Sequence, residues 1–596
     1  MASPPDVSKT DLVTFTILLD GNPINDVYQV TQIQVIKDVN KIPSAKIVLI
    51  DGSAEEETFE ISESGDFVPG KEVEIKLGYH STEKTIFKGL ITRHGLQVKR
   101  DKSSFLVVHC NDKAAKMTIG RKNAYYLKKK DSDVIGTLIG NAGLQKDVEA
   151  TTFQHPELIQ YYATDWDFML NRAEVNGMIV LVDDGKVSVK KPAVSESPAL
   201  VITYGDEIQE INTEVDARLQ LPKVTGTAWD QSTQKLVTGA SQEPSVNAQG
   251  NITGKKLSEV LGATGFDLQT PAPIPTAMLK TWANAQLLKS RLARIRGEVT
   301  IQGHAGPKPG TTIELAGLGA RFNGNAFISG VMHQVEQGEW TTHIAFGLSP
   351  NWFTEEQLDI ETPLTSGLLP GMHGLQIGTV KKIHDDPDGE TRIQVDVPMI
   401  KPSGDGVWTR IATFYATNNA GAFFMPEIGD EVILGFLNDD PRFPIILGSV
   451  YSKKHKPPYT PDDKNTMKAI VTNSQMKIWF DDVKKDLQIE TPGGHKITLS
   501  DDQTSITILD SNSNKMVMDK SGISIYSPKD INIKADGKMT LEATGGMDMK
   551  TQGDMNLEGL NVNIKAQVAL TAEGTASATF KSSGNVTIQG AMVMIN

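Results

Sequence analysis

One cysteine, Cys110, stands among 596 residues, which excludes an intrachain disulfide and any multi-thiolate metal site. It lies in the strand-like run Phe105 to Cys110, FLVVHC, and reads as a small buried apolar residue. The scarcity fits synthesis in the cytoplasm. The opening MASPPDVSKTD has no basic segment followed by an apolar one, and no stretch reaches the ~20 apolar residues that span a bilayer. A soluble chain without a secretory leader is expected. Positive charge is in deficit, 59 basic against 73 acidic residues for a formal charge of -14, which disfavours nucleic acid as a partner.

Catalytic signatures are missing too: no HExxH, GxSxG, P-loop or GxGxxG occurs. The 11 histidines are scattered, and the nearest pairs, His94 with His109 and His333 with His343, lack carboxylates at ligand spacing. Asp385, Asp386, Asp388 and Glu390 crowd a glycine-containing turn but not in the acidic order of an EF-hand, so a solvated hairpin turn is expected. Glu55, Glu56 and Glu57 read as a solvated loop, with docking to a neighbouring subunit as the alternative. No catalytic residue, metal ligand or cofactor is assigned, and the chain is not expected to be an enzyme.

What is present is β structure in blocks. Residues 1–120 and 201–360 read as two β-domains, the second with a long loop (Gln231 to Pro275) and a helix from Thr276 to Arg296. Between them, residues 121–200 form an α+β insert with short helices Asp131 to Gly143 and Asp165 to Gly177, each ended by a glycine suited to a left-handed cap. Trp166 and Phe168 are expected to pack inward. A linker at 361–374 leads to a small closed barrel of OB type at 375–452, then a neck at 453–485 and a repeat at 486–596. The fold class is mainly β.

The repeat has a period of eight. Ile523, Ile531, Met539, Met547 and Met555 form one apolar series, and Ile525, Ile533, Leu541, Met549 and Leu557 a second two residues further on. Gly537, Gly545 and Gly553 hold the same spacing and are expected at turns needing positive φ. After a one-residue slip at Asn556 to Val562 the series resume as Val562, Leu570, Ala578, Val586 and Met594, partnered by Ile564, Ala572, Phe580 and Ile588. A spacing of two places both series on one strand face and turns Asn532, Lys534, Asp548 and Lys550 outward. One strand and turn cannot bury that face alone. Coils of one chain or three intertwined chains would both supply the missing walls, and the period does not choose between them. Eight of the 19 methionines follow Asp510 and serve as unbranched filler for a narrow core.

A barrel followed by such a needle resembles the VgrG family of type VI secretion spikes and the related spikes of phage-like extracellular injection particles. The resemblance is carried by GDEVILGFLNDDPRFPIILGSVY at Gly429 to Tyr451, with Pro457 and Pro458 beyond it, by DPDGETRIQVDVP at Asp386 to Pro398, and by ETPGGHKITLSDD at Glu490 to Asp502. It implies a homotrimeric central spike of a contractile injection system. In that spike residues 1–120 and 201–360 would be hub β-barrel domains, an intertwined triple-stranded β-helix forms the needle, and the hub caps the inner tube and adapts three-fold to six-fold symmetry. The needle core would be Ile523, Ile525, Ile531, Ile533, Met539, Leu541, Met547, Met549, Met555, Leu557, Val562, Ile564, Leu570, Phe580, Val586 and Ile588.

Also implied are a PAAR-type tip protein docked on Met592, Met594, Ile595 and Asn596, an inner tube protein, baseplate or hub adaptor proteins and effector cargo. The assembled particle would transiently pierce a target membrane, carrying the chain outside the cell or into a target on contraction. Two other readings stand beside it: a phage-tailspike-like enzyme degrading polysaccharide or cell wall, which needs paired carboxylates in a cleft, and a passive adhesin.

Overall fold

The computed structural model describes residue 4 and residues 12–194, 196–401 and 404–595. Two compact units divide the chain, Met1–Val450 and Tyr451–Asn596, and strands are the main regular element of both.

In the first unit thirteen strands pair into one sheet. One half holds Val30–Asp38, Ser44–Ile50, Ser104–Asn111, Thr82–Val98, Glu72–Tyr79 and Val13–Leu19; the other holds Gly324–Glu336, Glu339–Phe346, Ile295–Gln302 and Ile208–Val215. They join where Gly324–Glu336 pairs antiparallel with Val30–Asp38, from Gly330 opposite Asp38 to Glu336 opposite Gln32. Residues of the two hub blocks thus share one hydrogen-bonded ladder while packing two cores. The first contains Ile33, Val35, Ile47, Phe67 and Phe87; the second contains Val299, Ile313, Ile328, Val331 and Phe346. A bulge links them. Ile328 faces Phe346 and Gly330 faces Ala345, so Ser329 is the extra residue, and the parity change lets Ile328 and Val331, three apart, enter the same core.

The insert packs helices Asp131–Asn141 and Asp165–Val175 over the strands Ile179–Asp183 and Lys186–Lys190. Both helices carry acidic residues in the first turn, and the Thr164 hydroxyl accepts the Asp167 amide at 3.1 Å, which caps the second. Gly143 and Gly177 follow with φ of 71° and 66°, the left-handed region in which glycine ends helices. Trp166 and Phe168 are buried, as their spacing suggests. Asp131 is buried among Arg172 Nε at 2.7 Å, Asn176 Nδ2 at 2.9 Å and His155 Nε2 at 3.0 Å. Burial alone would raise its carboxyl, but Arg172, Asn176 and His155 outweigh it and hold the group below the usual range.

The long helix runs Thr276–Leu292 and stops short of the expected Arg296, because Ile295–Gln302 is claimed by the sheet. Arg121 donates to the carbonyls of Tyr162, Ile360 and Glu361, and to that of Asp359, fixing the start of the linker against the insert. Five strands then close a barrel: Gln376–Lys382, Ile393–Asp396, Val407–Ile411, Pro444–Ser449 and Glu431–Phe436. Val407–Ile411 and Pro444–Ser449 are parallel and the other pairs antiparallel, around Val380, Ile393, Val395, Val432, Leu434 and Ile446. No exposed sheet edge is left.

The second unit opens as a seven-stranded antiparallel meander: Met467–Val471, Lys477–Asp481, Asp486–Glu490, Lys496–Ser500, Ser505–Leu509, Lys515–Asp519 and Gly522–Tyr526. Beyond it, residues 527–595 carry no strand pairing within the chain.

Candidate functional site

Hairpin register in the meander brings apolar residues into rows. Ile470 faces Ile478, which faces Ile489, and the row continues through Ile497, Ile508 and Met516 to Ile525. Beside it Phe480, Leu487, Leu499, Ile506 and Met518 lead to Ile523. The opposite face carries Trp479, Gln488, Thr498, Thr507, Val517 and Ser524. Both apolar rows therefore end on Ile523 and Ile525, the residues from which the two octad series start. Sequence reasoning placed the first rungs at 523 and counted part of the meander as neck. The missed signal was the alternation in KIWFD, DLQIE, KITLS and SITIL, visible only once hairpin turns set its register.

Past Tyr526 the chain bends at 528–529, 536–537, 544–545, 552–553 and 560, then at 567–568, 575–576, 583–584 and 591. The interval is eight residues throughout except between 560 and 567, where it is seven; the slip read in the sequence is one shortened unit. Gly537, Gly545 and Gly553 sit at these bends, but the last glycine with positive φ among the described residues is Gly522. The expectation of left-handed turns is therefore corrected. Each bend joins two extended segments without reversing the chain, so no left-handed residue is required.

The octad side chains are open to solvent in the single chain. Ile523, Ile525, Ile531, Ile533, Met539, Leu541, Met547, Met549, Met555, Leu557, Val562, Ile564, Leu570, Phe580, Val586 and Ile588 are all exposed, Ile533 to 72%. Ile531 lies in a shallow cleft with Ile489, Ile497, Ile508, Met516 and Ile525, which continues the first row. No backbone hydrogen bond joins two residues within 527–595. An apolar stripe of this length together with unpaired backbone groups marks a surface made to be covered. Met592, Met594 and Ile595 at the end are likewise exposed; Asn596 lies outside the described residues.

Elsewhere the paired histidines, the barrel-hairpin carboxylate Asp386 and the carboxylates of the hub cleft are engaged in structure. His94 meets the Phe67 carbonyl, His109 meets Arg93, His343 meets Thr300, and His333 is buried against Thr342. Burial pushes the His333 imidazole down to about 3 and the Cys110 thiol up to about 12. In the barrel hairpin Asp386 accepts Arg392 Nε and Nη2 and the amides of Asp388, Glu390 and Arg392. Those bonds, the Arg392 side chain first, hold its carboxyl far below the usual range. In the hub cleft that Asp38, Glu174 and Glu356 help to line, Asp38 is paired with Lys41, Glu174 with Lys289 and the Phe353 amide, and Glu356 with the Ser349 hydroxyl. Among the described residues no group of three His, Cys, Asp or Glu side chains converges as a metal site.

Comparison with known proteins gives two family models. The Alg8 N-terminal domain matches residues 9–337, more than half of the chain, and the type VI secretion system/phage-baseplate injector OB domain matches residues 376–451, the closed barrel. Among curated proteins, the chain is 31% identical over 123 residues to the actin cross-linking toxin VgrG1 of Vibrio cholerae, 19% of this chain and 11% of that protein. It is 32% identical over 114 residues to the type VI secretion system spike protein VgrG3 of the same species, 18% of this chain and 11% of that protein. The matches thus span about a tenth of those relatives. Among solved structures, a 43 kDa tail protein of prophage MuSo2 from Shewanella oneidensis aligns with a TM-score of 0.43 at 11% identity, covering 57% of this chain and 98% of that one.

Proposed function

We propose that the chain, a member of the Alg8 N-terminal domain family, is a VgrG-type spike protein and that three copies of it form the central spike of a contractile injection system. The observation that carries this is the pair of apolar rows that run from Ile470 through the meander into the octads and that no described residue covers. Two further copies supply the walls. Each contributes one face of a three-sided prism in which the rows meet along the axis, and the backbone of 527–595 pairs between chains.

In this assembly the hub caps the inner tube and adapts three-fold to six-fold symmetry. The barrel joins hub to needle, and the needle pierces the target envelope and delivers effectors. Met592, Met594, Ile595 and Asn596 seat a PAAR-type tip protein. Baseplate adaptors hold the hub in place. Work is done by force on a narrow point whose strands present no free edge, so no covalent chemistry is needed. The toxin activity in the name of one relative belongs to a protein of which the match covers 11%, and the hub-cleft carboxylates are already satisfied by neighbours, unlike the free pair that glycoside hydrolysis requires.

Mixing the purified chain with the inner tube protein of a contractile injection system from the same source and imaging the product by electron microscopy tests the reading. Tubes closed at one end by a ring that bears a thin axial needle are expected. Tubes that stay open at both ends in excess spike protein overturn it.

A further inference from the structure

The hub carries two exposed patches of opposite charge at opposite ends of the same strands. We propose, resting on the trimer reading above, that neighbouring hubs meet head to tail through them. The lysine-bearing ribbon of one copy seats on the glutamate turn of the next.

The ribbon is the pair Lys122–Lys130 and Gln154–Ala163. Tyr126 and Leu158, opposite one another, turn into the core of the insert. On the other face Tyr125 opposes Ile159 and Leu127 opposes Glu157, and Tyr125, Leu127, Ile159 and Tyr161 are all exposed. A two-stranded ribbon with large apolar groups on both faces is built for contact on both. Lys128, Lys129 and Lys130 end its first strand, the first two exposed, and none of the three has an ion-pair partner among the described residues.

The second patch is the turn after Ser44–Ile50. Glu55, Glu56 and Glu57 are exposed there, without ion-pair partners among the described residues, and Glu60 and Glu63 follow. Ile50, Leu96 and Val98 stand exposed at the same end. The adjacent turn contributes Lys99, Arg100 and Lys102 with Asp101, so carboxylates stay in excess. Each patch combines bare apolar side chains with unpaired charge, and the signs match.

Position prevents the two from meeting inside one chain. The glutamate turn leaves the Ile50 end of the sheet, where the Asp51 amide bonds the Ser104 carbonyl at 3.2 Å. The ribbon departs from the other end, where the Asp112 amide bonds the Pro43 carbonyl at 2.9 Å and Ile42 packs against the insert core. A seven-residue strand, roughly 20 Å, lies between them. Two different, complementary patches on one chain make a heterologous contact, which closes into a ring when the rotation between copies is a third of a turn. The lysines and glutamates then fix the direction in which copies follow one another.

Zero-length carbodiimide coupling of the full chain, read by mass spectrometry, tests this because it joins only amine and carboxylate in direct contact. An amide between Lys128, Lys129 or Lys130 and Glu55, Glu56 or Glu57 is expected, and in trimers assembled from equal amounts of light and heavy-isotope chains mixed while unfolded, half of it should link different isotopes. Reversing Lys128→Glu, Lys129→Glu and Lys130→Glu should remove the link at least tenfold, and adding Glu55→Lys, Glu56→Lys and Glu57→Lys should restore it. A trimer by light scattering without this link overturns the head-to-tail contact and leaves the spike reading standing; a monomer by light scattering overturns both.

Discussion

Ile47 lies in a β ladder of the hub and Ile533 in an octad that pairs with nothing in its own chain, the first fully buried and the second 72% exposed. In the hub, distant segments return to the same sheet, so Ile47 finds Phe67, Phe87 and Leu106 within its own chain. In the needle the chain only advances, bend after bend, and Ile533 has nowhere in its own chain to go. A fold that returns on itself completes its core alone; a fold that only advances must borrow its core from other copies. The barrel stands with the hub in this contrast, closing on Val395 and Leu434 by pairing its first strand with its fourth in sequence among the five.

The largest effect that would break the comparison is expected at the octads. Ile533→Asp with Leu541→Asp places charge in a face that assembly dehydrates, three times over, at several kcal/mol per unpaired carboxylate. Loss of the trimer in light scattering with an unchanged hub melting transition is expected, and heat-resistant trimers would refute the register. Next is the hub interior. Asp131→Ala leaves Arg172 without its partner and should cost about 3 kcal/mol in urea unfolding, with no change in chain association.

Smaller and specific to the hub is a pH dependence. His333 is neutral when folded, its value of about 3 lying below the ordinary 6.5, so between those values the unfolded chain binds the extra proton. Stability contributed by this site is present above about pH 6.5 and is lost as pH falls, by at most about 1.4 kcal/mol per pH unit. Thermal melts from pH 7 to 5 should show the slope, and His333→Gln should flatten it. Smallest of all, Gly545→Ala should shift stability by less than about 0.5 kcal/mol, because its bend is not left-handed and a Cβ there meets open space in the chain. Gly522→Ala, at φ 120°, should cost about 1 kcal/mol.

How much of this was legible depended on whether the signal was local. The helices Asp131–Asn141 and Asp165–Val175 follow from acidic first turns and closing glycines, and the barrel strand Glu431–Phe436 from its short apolar run EVILGF. The octads were plain because a spacing of eight recurs eight times along one series and survives a seven-residue unit. Hidden was the joining of the hub halves, since Gln32 and Glu336 leave no mark on each other's neighbourhood. The end of the long helix was hidden for a similar reason: Ile295 fits a helical stripe but pairs with Val215 instead. The meander rows needed register, which turns decide and composition does not.

The central claim is that the apolar rows starting at Ile470 are closed by two more copies of the chain. Multi-angle light scattering of the full-length protein across a hundredfold dilution tests it most directly. A mass three times that of one chain, unchanged on dilution, is predicted; a stable, monodisperse single-chain mass would contradict it.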